Sequence, residues 1–113
     1  MEMVVVDAAG APKRLVLTGR LDAAGTEKVE VAFSAQMRAA RDSALVDMTG
    51  VTFVGSLGIR MLISGARLAD RGGCKAVIFG VQPAVAEVFR TIALDDLIPV
   101  VPDEAAALAH LAA

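Results

Sequence analysis

Short apolar runs of strand length alternate along this chain with longer stretches of helical period. Met3 to Val6 is the first such run, and Ala8-Ala9-Gly10-Ala11-Pro12 punctuates it as a turn. A second run follows from Arg14 to Thr18 through Leu15, Val16 and Leu17, so the opening predicts an antiparallel hairpin. From Thr26 to Arg41 the period changes. Val29, Phe33, Met37 and Ala40 line one face of a helix, and Glu27, Lys28, Glu30, Arg38 and Arg41 fall mostly elsewhere. Acids in the first turn and bases near the last then suit the helix dipole. Ala44 to Met48 has strand character again, Thr49-Gly50 breaks it, and Val51 to Val54 is apolar once more.

Gly55-Ser56 opens a second helix that runs through Asp70 and ends at Arg71-Gly72-Gly73, where the glycines can take left-handed backbone angles. Ala76 to Phe79 reads as a buried strand. Gln82-Pro83 starts a third helix, with proline in the first turn and Val85, Val88, Phe89 and Ile92 as its apolar stripe. Leu97 to Val101 is expected to be a last short strand, and Pro102-Asp103 to cap a terminal helix rich in Ala and Leu. Strands alternating with helices after an opening hairpin predict one α/β domain, residues 1–113, with a mixed sheet covered by helices.

Composition narrows the function. Hydrophobic residues make up 56% of 113 and aromatics only 4%, so a core forms from aliphatic side chains and Met. A formal charge of −2 gives no electrostatic reason to expect direct nucleic-acid binding, and four scattered Phe supply no stacking platform. The single cysteine, Cys74, excludes an intrachain disulfide and reads as a small apolar filler. The N-terminus lacks a basic signal region and no apolar stretch approaches bilayer length, so a cytoplasmic protein without membrane insertion is expected.

Little catalytic chemistry can be assembled. One histidine, His110, excludes a multi-His metal site, and a Ser-His-acid triad would have to recruit it from the chain's last turn. Gly55-Ser56-Leu57-Gly58 lacks the lysine of a phosphate loop, the three glycines of a dinucleotide fingerprint and the spacing of a nucleophile elbow. No metal, cofactor or enzymatic role is therefore expected. Ser56 stands at a strand-to-helix junction, and two readings of it stay open. One is an N-cap worth about 1 kcal/mol. The other adds a phosphate, which would sit comfortably at a helix start while changing the outward surface. On the second helix, Gly58, Ile59, Leu62, Ala66 and Ala69 share one side, and Leu57, Met61, Ser64 and Leu68 share another. The second stripe either meets neighbouring helices or leaves Leu57 and Met61 exposed beside Ser56 as a docking patch, with Arg60 and Arg67 between the stripes.

Taken in order, these segments resemble the STAS family, in particular bacterial anti-sigma factor antagonists. Leu17-Thr18-Gly19-Arg20-Leu21-Asp22 is similar to the family's "LxGxLD", Val46 to Phe53 to its "vDlsgvtf" strand, and Gly55 to Ile59 to its phospho-acceptor loop. Pro83-Ala84-Val85 and Leu94 to Pro99 match its later helix and final strand. The resemblance implies a STAS-like α/β fold, with a mixed sheet of four to five strands and about four helices. It further implies a non-catalytic module that binds a kinase-type anti-sigma factor, is phosphorylated at Ser56, and is restored by a PP2C-like phosphatase. Asp22, Gly55, Ser56, Leu57, Arg60 and Met61 become the expected partner-binding residues. Two positions depart from the pattern: Gly55 stands where phosphorylated members usually carry Asp, and Leu57 replaces a small residue. These departures keep a second reading open, a non-phosphorylated STAS adaptor of a membrane lipid transporter or a signalling scaffold. A small-ligand sensor ranks last.

Overall fold

The computed structural model describes residues 1–112. The elements run β1 (Glu2–Val6), β2 (Lys13–Leu21), α1 (Ala23–Ala39), β3 (Ser43–Val54), α2 (Ser56–Arg71), β4 (Lys75–Phe79), α3 (Pro83–Thr91), a 3-10 turn at Leu94–Asp96, β5 (Val100–Val101) and α4 (Glu104–Ala112). The five strands lie in sequence order in one mixed sheet, with β1 antiparallel to β2 and every other pairing parallel. The expected hairpin, mixed sheet and number of helices are all present.

Alternation along the strands builds two cores on opposite faces of the sheet. Leu15, Leu17, Val46, Met48 and Ile78 join Phe33, Met37, Leu62, Val85 and Phe89, so α1, α2 and α3 share the larger core. Leu45, Val77 and Phe79 point the other way and are covered by Ala107 of α4. Cys74 is buried in the larger core, as its reading as a filler implied. Burial pushes its thiol pKa up, the charge of Asp42 adds to this, and Lys13 partly offsets it.

Four details differ from the pattern-based expectation. Helix α1 begins three residues before Thr26, because Asp22 accepts the Gly25 N–H at 2.8 Å and starts the first turn across residues with no apolar signal. The early start also leaves that turn without acids. Thr49-Gly50 does not break β3. Register shifts between Val16 and Thr18 and between Gly19 and Arg20 absorb the extra β3 residues as bulges, and Asp47 Oδ1 accepts the Thr49 N–H at 3.0 Å and its hydroxyl at 2.7 Å. The last strand is only Val100–Val101, because the N–H groups of Leu97 and Ile98 both donate to the Leu94 carbonyl at 2.9 Å and cannot join the ladder. Ile92 lies past the end of α3 and is exposed rather than part of its buried stripe.

Helix α2 seats unusually close to its neighbours. A β-carbon at Gly58 would stand 2.6 Å from Leu21 Cγ and 2.8 Å from the Leu21 carbonyl oxygen. One at Gly65 would overlap the Phe33 ring and meet Met37 Cγ at 3.2 Å. Gly65→Ala therefore forces α1 and α2 apart and costs about 1–3 kcal/mol. Chemical denaturation should show the loss, and wild-type stability in this variant would contradict the packing.

Candidate partner-binding site

The site lies where parallel strands end and helices begin, the position that open α/β sheets generally use. Leu21 of β2 is in register with Val54 of β3, and the Gly55 N–H donates to the Leu21 carbonyl at 2.9 Å. This bond sets the two strand-to-helix junctions side by side, so that Asp22 and Ser56 each follow a residue of the bonded pair.

Asp22 is held from two directions. Besides capping α1 through Gly25, its Oδ2 is 3.5 Å from Arg20 Nε, and the Arg20 guanidinium lies 4.4 Å from the centre of the Phe53 ring. The Gly25 N–H is the main reason its carboxyl titrates below the ordinary value; desolvation works against that, and Arg20 contributes further to lowering it. Arg20 and Phe53 were not among the sequence candidates. An exposed Phe in a chain without Tyr or Trp was the one available signal, and the bulge in β3 that turns Phe53 outward has no sequence periodicity to announce it.

Ser56 is the first helical residue of α2, and Gly55 occupies the N-cap position, so the expectation that Ser56 itself caps the helix is corrected. No side chain caps this helix start. Ser56 is exposed, as are Leu57, at 43% of its surface, and Arg60. Gly55 has φ −100° and ψ −179°, extended backbone open to any residue, and an added β-carbon would meet Phe53 Cε2 at 3.4 Å. Neither strain nor space demands glycine there.

Met61 is the clear correction. It is only 2% exposed and belongs to the core, not to a docking patch. Helix α2 packs on both the sheet and α1, so its buried arc of Gly58, Met61, Leu62, Gly65 and Ala69, with half-buried Ile59 and Ala66 continuing it, is wider than one stripe. The second stripe divides accordingly: Leu57 and Ser64 remain exposed, while Leu68 is half-buried. Gly55, Ser56, Leu57 and Arg60 thus lie at the start of α2, Asp22 caps the adjoining start of α1, and Met61 is in the core.

Among the described residues no group of three His, Cys, Asp or Glu is placed to hold a metal ion, and no helix is long and apolar enough to cross a membrane. Away from the site, Cys74 and His110 line a cleft of about 340 Å³ with Arg67, Asp70 and Lys75.

A family model described as "Mlab, STAS domain" matches residues 4–101. The chain belongs to the STAS domain family. No curated protein matches this STAS chain in sequence. An anti-sigma factor antagonist domain protein from Planctomyces limnophilus is similar in structure, with 23% identity, 98% of each chain covered and a TM-score of 0.84. An anti-sigma factor antagonist from Mycobacterium paratuberculosis is 23% identical over 99% of this chain and 94% of its own, with a TM-score of 0.83. The Bacillus cell fate determinant SpoIIAA in its phosphorylated form is 15% identical over 97% and 99%, with a TM-score of 0.70. At these identities the likeness is one of fold.

Asp22 gives this STAS site a pH signature. Its folded-state carboxyl titrates below the ordinary carboxylate range, so its stabilisation is complete above that range and is lost as pH falls through the lowered value. Asp22→Asn keeps an oxygen to cap α1 but has no charge to titrate, and should flatten the acid limb of the stability profile. Asp22→Ala should lower the melting temperature at neutral pH as well. Identical thermal profiles for the three proteins would exclude the cap.

Proposed function

We propose that this chain is a non-catalytic, cytoplasmic protein-binding module, an anti-sigma factor antagonist that grips a kinase-type anti-sigma factor through the start of α2. The observation that carries the reading is the exposed Ser56 at the first helical position, with exposed Leu57 and Arg60 beside it. Leu57 supplies apolar area, Arg60 a charge for a partner's acid, and Asp22 a carboxylate on the adjoining junction. Phosphorylation of Ser56 adds about −1.5 to −2 charges to this surface. The first turn of α2 tolerates that charge, since its N–H groups have no side-chain cap and the helix dipole favours an anion there. The domain therefore stays folded while a partner seated over Leu57 meets a new hydrated dianion and leaves. A PP2C-like phosphatase restores the binding form. The similar fold of SpoIIAA, known in a phosphorylated form, supports this reading.

Gly55 favours a second reading, in which the chain is a constitutive STAS adaptor, as in a membrane lipid transporter, and Ser56 is never modified. One experiment separates the two. Incubated with ATP and its cognate anti-sigma kinase, the chain should gain one phosphate at Ser56 by intact mass and peptide mapping, and Ser56→Asp should bind the kinase at least about tenfold more weakly. Gly55→Asp, which the extended backbone accepts, should fold normally and raise the phosphorylation rate. No phosphate on either protein, together with unchanged affinity for Ser56→Asp, would reject the switch in favour of the adaptor.

A further inference from the structure

The chain carries a net charge of −2, yet α2 has three arginines against one acid, Asp70. Arg60, Arg67 and Arg71 fall within about 40° of one another around the helix and form a straight row about 16 Å long. All three are exposed. Among the described residues none of them takes part in an ion pair, whereas Arg14, Arg20 and Arg90 each do. Their side chains wall a shallow groove of about 520 Å³ on α2 itself, with Ser56 at its head, Ser64 along its floor, and half-buried Ile63 and Leu68 on its flanks.

A row of like charges that makes no ion pair is mildly self-repelling and gains most from a ligand that brings carboxylates in register. The apolar flanks call for an occupant that also carries aliphatic side chains on either side of its acids. An amphipathic helix meets both needs: laid antiparallel along α2, it presents acids at i, i+4 and i+11 to Arg71, Arg67 and Arg60 and aliphatic residues to Ile63 and Leu68. Nucleic acid and anionic lipid fit less well. Three basic residues with Asp70 beside them fall short of the roughly 4–8 that such surfaces gather.

We infer that the arginine row of α2 is a second docking element, which receives an acidic amphipathic helix of the protein partner. The inference rests on the proposed function only for which partner supplies that helix. It also gives the phosphate a further effect. Ser56 lies one turn before Arg60, so a phosphate on it pairs with that guanidinium and withdraws the head of the row from the partner.

The probe is a synthetic helical peptide of about 18 residues with glutamates at the matching positions and leucines on their flanks, compared with its glutamine analogue and with a single-stranded oligonucleotide of equal charge. In titrations at low salt the full chain should bind the glutamate peptide at least about tenfold more tightly than either control, and lose that preference as salt rises. Arg67→Glu and Arg71→Glu should each weaken peptide binding on the order of tenfold. Arg67→Glu should do so with unchanged thermal melting, and Arg71→Glu with a small loss because Arg71 lies in the last turn of α2. Arg67→Lys should retain most of the binding. Equal affinity for the two peptides, preference for the oligonucleotide, or indifference to both reversals would overturn the inference. If Ser56→Asp weakens binding of an anti-sigma kinase and the arginine reversals do not, the row is refuted and the proposed function stands. If no such kinase binds but the arginine-dependent peptide binding persists, the proposed function falls and the row stands.

Discussion

Parallel registration of β2 with β3, closed by the 2.9 Å bond from the Gly55 N–H to the Leu21 carbonyl, positions the two strand-to-helix junctions that carry the candidate site. The two strands differ in length, nine residues against twelve, and would not finish level without the bulges that β3 accommodates. Because they do finish level, α1 and α2 start side by side at one end of the sheet. A capping acid and a helix-start hydroxyl far apart in sequence are brought to adjoining strand ends at one edge of the fold.

The rotation of α2 about its own axis is the next constraint. Gly58 and Gly65 let the helix approach Leu21 and Phe33 more closely than any side chain would permit, and that approach turns a broad arc inward. Met61 lies on the arc and is buried. Leu57, one turn earlier and some 40° further round, is not. The same rotation leaves the arginine row pointing straight out, so one packing decision selects both the apolar and the charged parts of the exposed face.

Electrostatics then distinguishes two kinds of charge. Asp22, Arg20 and Phe53 satisfy one another and organise the start of α1. Arg60, Arg67 and Arg71 organise nothing within the described chain and are available to another molecule. A local basic face on an acidic domain also favours encounter with a charged molecule in one orientation.

Much of the architecture was legible from the residues alone. Alternating apolar runs marked the strands, the i, i+4 spacing of Val29, Phe33 and Met37 marked α1, and Gly72-Gly73 marked the end of α2, because each of these signals depends on near neighbours in sequence. The order of motifs from Leu17 to Pro99 carried the family resemblance, and with it Asp22 and Ser56 as candidate site residues. What stayed hidden depends on residues distant in sequence. Thr49-Gly50 looked like a break because the Asp47 side chain and the neighbouring strand that sustain the bulge leave no periodic mark. Met61 looked as eligible for the surface as Leu57 because a helical wheel gives directions but not how many of them are covered. Only the seating of α2 against both sheet and α1 decided that, since burial is a property of what lies opposite a side chain and not of the side chain itself.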